Sequence, residues 1–225
     1  LAKELNISRE EQEEFAVKSH EKALKAIESG LFKDEIVPID FNGETVSIDE
    51  GPRKPDLDKI KSLDPAFDVN GTITPATSSP ISIGASAALL VSESLAKELG
   101  LSYEFKIIAR SVAGVDWTVM GSGPIPATEK ALKKSGLSMS DIDVIELNEA
   151  FAAQSLYVIK KAGWDRDKIN INGGAIALGH PLGCSGSRII GTLMNVMKQK
   201  NAKYGLATMC IGTGQGIATI IERVK

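Results

Sequence analysis

Residues 172–187 read Asn-Gly-Gly-Ala-Ile-Ala-Leu-Gly-His-Pro-Leu-Gly-Cys-Ser-Gly-Ser, and they hold His180, one of two histidines in the chain. Gly173, Gly174, Gly179, Gly183 and Gly186 strip side chains from the backbone on both sides of that ring. Pro181 fixes the chain direction directly after it. Backbone this bare belongs where another group approaches closely, so the stretch reads as the lining of a site. A lone histidine in an ordinary loop is commonly a satisfied interior side chain; the glycines favour a working role for this one.

The pattern around the loop indicates the fold. C-terminal to it, a helical pattern over 184–199 leads to apolar runs at 204–210 and 216–222, joined by the glycine turn 212–216 as a hairpin. N-terminal to it, apolar runs at 105–112, 142–147 and 169–172 alternate with helical patterns at 126–135 and 149–162. Strands and helices in alternation predict a layered α/β unit whose strands are buried on both faces. Before it, Gly84 to Leu99 reads as an alanine-rich helix closed by Gly100, and 70–80 is a run of small, hydroxylated and turn-forming residues. A boundary is placed near Ile81, dividing the chain into 1–82 and 83–225.

The first part is less regular. Residues 8–29 form an amphipathic helix with Ser8 and Glu11 spaced as a capping box and Gly30 as its stop. Alternation over 35–48 around Asn42-Gly43 predicts a hairpin, and 50–56 a charged loop or excursion. The chain starts at Leu1 almost directly in a polar helix and reads as the middle of something longer.

Composition narrows the function. A length of 225 residues, 43% hydrophobic and 24% charged, describes an ordinary globular chain, and its net charge of −3 with interleaved lysines offers nothing to nucleic acid. Neither a membrane-spanning run nor a secretory leader is apparent, and two cysteines build no disulfide framework, so a cytoplasmic location without membrane partners is expected. Gly212-Thr213-Gly214 lacks the dinucleotide spacing, no phosphate loop occurs, and Gly183-Cys184-Ser185-Gly186 fails the nucleophile-elbow spacing. Histidine and cysteine spacing gives no metal site.

Three ordered segments carry the chemistry: Asn148-Glu149-Ala150-Phe151-Ala152-Ala153-Gln154, the histidine loop 172–186, and 205–216, Gly-Leu-Ala-Thr-Met-Cys-Ile-Gly-Thr-Gly-Gln-Gly. Taken alone, Asn148 reads as a helix N-cap and Cys184 as a small buried hydrophobe, whereas Cys210 stands at a strand end with bare backbone after it. Histidine and thiol beside bare backbone suggest acyl-transfer chemistry.

Together these segments, with 121–127 (GSGPIPA) and 71–74 (GTIT) in the same order, resemble the C-terminal half of the thiolase family, from about residue 3 onward. The wording at 182–188 and 209–224 is most similar to the degradative 3-ketoacyl-CoA thiolases. The resemblance implies a layered αβαβα fold, here the C-terminal half plus part of the loop region on the CoA side. It implies coenzyme A thioesters as substrates with no separate cofactor, and a homo-oligomer when intact.

Residue by residue, it implies that His180 activates the nucleophilic cysteine and helps bind the thioester oxygen, and that Asn148 holds a water beside it. Cys210 would act as acid and base on the substrate, and the N–H of Gly212 would complete the second oxyanion site. Ser79 matches a serine placed against the pantetheine arm, and Arg53 an arginine near the nucleotide end of coenzyme A. Ile83 stands where relatives usually carry aspartate. The family's nucleophilic cysteine is expected upstream, in a missing N-terminal half, and Cys184 is not its equivalent. The chain alone is therefore expected to be inactive and to expose a wide apolar face. The alternative is a non-catalytic CoA-binding or assembly subunit, or a truncated product.

Overall fold

The computed structural model describes residues 1–224. The first helix, α1 (Arg9–Glu28), begins where the capping box places it: the Ser8 side chain accepts from the N–H of Glu11, and the Glu11 carboxylate accepts from the N–H of Ser8. Gly30 follows with a φ of +68°, the left-handed conformation that ends helices. Asn42 and Gly43 both take positive φ, which the tight hairpin turn requires, and strands β1 (Ile39–Phe41) and β2 (Glu44–Val46) pair antiparallel across it. All six strand residues are exposed. Next comes α2 (Leu57–Ser62), capped by Asp56.

The helix expected over 84–99 is shorter than its composition indicates. Only Glu93–Glu98 is helical, as α3, starting where the Ser92 side chain accepts from the N–H of Leu95. Leu89 and Leu90 are exposed at 85% and 65%, and Ile81 and Ile83 are fully exposed. A short alanine-rich segment gains little helix without a surface to bury its apolar face, and no helix begins at Gly84 for a residue at position 83 to cap. Exposed apolar side chains also occur at Val37, Phe41, Phe67, Val69 and Leu182.

From here the alternation holds. Strand β3 (Phe105–Gly114) is followed by α4 (Pro124–Ser135), β4 (Val144–Leu147), α5 (Ala152–Ala162), the short α6 (Ala175–Leu178), α7 (Ser185–Lys200), β5 (Tyr204–Ile211) and β6 (Gln215–Arg223). The four long strands form one mixed sheet in the order β3-β6-β5-β4, with β4 and β5 parallel and the other pairs antiparallel. The terminal hairpin is as expected. The run 169–172 is not a strand: Ile169 makes a single bridge to Ile145, after which Asn170 takes a φ of +45° and turns the chain.

Each face of the sheet has its own core. On one, Ile145, Leu147, Leu206, Ala218 and Ile220 pack with Ala127 and Ala131 of α4 and Val158 and Ile159 of α5. On the other, Val144, Ala207 and Ile221 pack with Ile189, Leu193, Val196 and Met197 of α7. Strand β4 is buried at every position, whereas β3, at the sheet edge, alternates and leaves Val112 exposed. The fold is thus a mixed α/β sandwich, and α1 adds a further layer through Ala16, which packs with Ala152 and Ile176.

Candidate active site

The site gathers at the C-terminal end of β4. One residue past the strand, the N–H of Asn148 donates to the carbonyl of Thr208 at 3.0 Å, so the end of β4 is fixed to β5 two residues before Cys210. Asn148 is buried. It does not cap α5, which starts at Ala152 with Phe151 in the cap position. Its side chain instead turns to the histidine loop, where Nδ2 lies 3.4 Å from His180 Nε2.

His180 is half-buried and held from both ring nitrogens. Nδ1 lies 2.6 Å from the hydroxyl of Ser185, and that hydroxyl donates its proton to the carbonyl of Pro181 at 3.0 Å. Assigning the hydroxyl proton to Pro181 makes Ser185 the acceptor from the ring and places the hydrogen on Nδ1. The lone pair is then on Nε2, facing the Asn148 amide that donates to it. Burial, helped by the cation of Arg188, lowers the histidine's pKa below its ordinary value, keeping the ring neutral and basic near pH 7. The other amide atom, Asn148 Oδ1, is buried without a protein partner.

Cys210 lies near the end of β5, 5% exposed, and burial pushes its thiol up to about 11. At neutral pH it is a protonated thiol, an acid in waiting and a poor nucleophile. Gly212 follows in the turn, exposed and with open space where a side chain would be. Neither residue hydrogen-bonds to His180 or Asn148 among the described residues. Cys184 is buried at the start of α7, its sulfur 3.3 Å from Ser86 Oγ, as expected for a small interior side chain.

Ser79 is tied to the same region, since its N–H and its hydroxyl both donate to the carbonyl of Ala150 at 3.0 Å. Arg53 is exposed; its backbone N–H donates to His20 Nδ1 at 3.3 Å, and its guanidinium has no ion pair among the described residues. The loop holding Arg53 lies against the histidine loop, for a side chain at Gly51 would overlap the carbonyl of Ala177. Sequence reasoning passed over Ser185 and Arg188. A serine at the start of a helix five residues after the histidine, and an arginine one helical turn further on, were the available signals. Among the described residues no histidine, cysteine or carboxylate group is arranged to hold a metal ion.

The structure thus brings His180 to Asn148 and Ser185, and places Cys210 two residues beyond the Thr208 that pairs with Asn148. Residues 101–223 match the family model described as thiolase, C-terminal domain, and residues 1–94 that described as thiolase, N-terminal domain. The chain belongs to the thiolase family. Sequence of the N-terminal domain is therefore present in a chain whose first part was expected to hold only part of the loop region. It is 55% identical to proteins named 3-ketoacyl-CoA thiolase from Vibrio cholerae and Serratia proteamaculans, over 99% and 100% of its own length. It spans 60% of the length of each.

Among solved structures, the Bacillus anthracis acetyl-CoA acetyltransferase superposes with a TM-score of 0.95 at 45% identity, covering 99% of this chain and 58% of that one. Human mitochondrial 3-ketoacyl-CoA thiolase in complex with CoA gives 0.93 at 39% identity, covering 99% and 57%. No helix among the described residues is long and apolar enough to cross a membrane.

Proposed function

We propose that these 225 residues form part of a thiolase that cleaves a 3-ketoacyl-CoA with free CoA, in the degradative direction of fatty-acid β-oxidation, or runs the reverse Claisen condensation. The observation that carries this reading is the orientation of His180. Its Nε2 lone pair faces the Asn148 amide while Ser185 holds Nδ1. The Asn148 contact is long at 3.4 Å, and a thiol that takes its place can give its proton to Nε2 as it becomes a nucleophile. The cysteine thiolate attacks the 3-keto carbonyl, the C2–C3 bond breaks, and the electron pair left on C2 takes the proton of Cys210. A CoA thiol then attacks the acyl-enzyme, giving its proton to the Cys210 thiolate; the acyl group leaves on the new thioester, and the departing cysteine recovers its proton from His180.

In this reading Asn148 holds a water through its buried Oδ1, and the Gly212 N–H binds a developing oxyanion. Ser79 and Arg53 meet the pantetheine and nucleotide ends of CoA. The nucleophile is neither Cys210, which burial keeps protonated, nor Cys184, which lies buried against Ser86. The chain alone is accordingly inactive. Exposed Ile81, Ile83, Leu89 and Leu90 favour a second reading, an assembly subunit completed by a polypeptide that supplies the cysteine.

The test is turnover of acetoacetyl-CoA with CoA by the purified chain, beside its Cys210→Ala variant. Background rates in both are expected. Turnover that Cys210→Ala abolishes would show that the retained thiol suffices. The intact mass of the native protein separates the two readings.

A further inference from the structure

Glu149 stands beside Asn148, yet the chemistry above does not use it. Its side chain is 2% exposed, and a buried carboxylate is costly unless donors surround it. Three do. Ser19 of α1 donates its hydroxyl to Oε2 at 2.7 Å, the N–H of Ile176 donates to the same oxygen at 3.1 Å, and Asn170 Nδ2 donates to Oε1 at 2.8 Å.

Each donor is itself fixed. Ser19 Oγ accepts from the N–H of Gly174 at 3.0 Å, so its proton is directed to the carboxylate. Asn170 accepts from the N–H of Leu147 through Oδ1 and donates to the Leu147 carbonyl through Nδ2, so its amide cannot turn over. Both carboxylate oxygens therefore face donors. The bare backbone at Gly174 makes room for the group, since a side chain there would overlap it. Ile176 and Gly174 belong to the turn and short helix that deliver His180.

We infer that Glu149 is a positioning residue: by joining the end of β4 to α1 and to the start of α6, its carboxylate sets the His180 loop against Asn148. The inference gives this residue a role in the site proposed above, and so rests on that reading for its meaning. Its test needs no turnover, so its failure and the failure of that reading are distinguishable.

Glutamine at 149 keeps the shape and the acceptor for Ser19 and Ile176, but turns an NH2 group onto the fixed NH2 of Asn170. The 225-residue chain has two histidines, so long-range ¹H–¹⁵N spectra of the 15N-labelled chain resolve the His180 and His20 rings. In Glu149→Gln the titration midpoint of His180 is expected to move by about half a pH unit or more, a displacement within the range that protein surroundings impose. His20 is expected to stay in place.

Ser19→Ala removes one donor without touching the carboxylate and should shift His180 in the same direction by less. If Glu149→Gln does not fold, this variant decides alone. An unmoved His180 in the variants that fold, or a His20 shift as large as that of His180 in Glu149→Gln, would overturn the inference. The first would leave the carboxylate without influence on the ring, and the second would reduce it to packing of α1.

Discussion

His180 and Ser185 are joined by a hydrogen bond of 2.6 Å between the ring Nδ1 and the hydroxyl. With the Ser185 proton assigned to the Pro181 carbonyl, Nδ1 is the donor in this bond. A serine that points the basic nitrogen of a histidine is a small device, built within one turn of chain.

Ser185→Ala should therefore release the tautomer. The native ring is expected almost wholly as the Nδ1–H form, and the variant as a mixture, with a stability loss of about 1 kcal/mol for the lost hydrogen bond. The ¹⁵N shifts of the two ring nitrogens at pH 8 report the tautomer directly. An unchanged Nδ1–H signature in the variant would mean that Asn148 alone orients the ring.

His20 gives the chain an acid-sensitive joint. It is 6% exposed, and burial, with the Arg53 cation adding to it, lowers its pKa to about 4. A proton on Nδ1 would also eliminate the acceptor for the Arg53 N–H. Between pH 6.5 and about 4 the unfolded chain binds this proton and the folded one does not, so the contribution is full above 6.5 and is lost as pH falls towards 4. Its size is on the order of 3 kcal/mol. The buried carboxyls Glu146 and Glu149, raised by burial, act in the opposite sense. The measurement is thus the difference in urea midpoint between the native chain and His20→Asn, which keeps an acceptor at the Nδ1 position. That difference should shrink steadily from pH 7 to pH 4.

Two glycines of the last hairpin should respond oppositely to alanine. At Gly216 a side chain would overlap the backbone of Gly123, where neither partner yields, so Gly216→Ala should cost about 3 kcal/mol or more. Gly212 has nothing within 4 Å and no left-handed φ, and Gly212→Ala should stay within about 0.5 kcal/mol. Chemical denaturation of both variants checks the contrast. A large loss at Gly212 would show a turn with no room for a methyl group.

In the thiolase proposed above, His180→Ala and Cys210→Ala should impair different half-reactions. Loss of His180 should suppress acyl-enzyme formation on the order of a hundredfold or more, the scale of a positioned base. Loss of Cys210 should spare acylation from a simple acyl-CoA and suppress thiolysis and condensation instead. Rapid-quench trapping of the acyl-enzyme distinguishes them. Equal and complete loss of acylation in both would contradict the division.

The sheet, its order of helices and the residues of the histidine loop were legible because each rests on local pattern. Ser8 and Glu11 announce α1, Asn42-Gly43 announces the hairpin, and apolar runs announce β3 to β6. The region 84–92 was misread because alanine content speaks for helix while the deciding factor, a surface to pack on, is not local. Taken alone, Asn148 reads as a cap because it precedes a helical pattern, and only the family resemblance sets it beside His180. Its true partner, His180, is 32 residues away, a pairing no spacing rule reveals. Glu149 and Asn170 were hidden for the same reason, since a buried carboxylate is recognised by its donors, and these lie on three separate segments.

The bond between Ser19 and Glu149 joins residues 130 positions apart. Closing a span of that length carries an entropy cost that must be met before the contact returns anything, and such long-range pairings slow folding. Docking of α1 must therefore wait until β4, Asn170 and the turn at Gly174 exist to receive it. In chain synthesis the earliest helix of this sequence is made first and seated late. Until then its buried face, with Gln12, Ser19 and His20 among its alanines, is polar enough to remain in water without drawing the chain into aggregates.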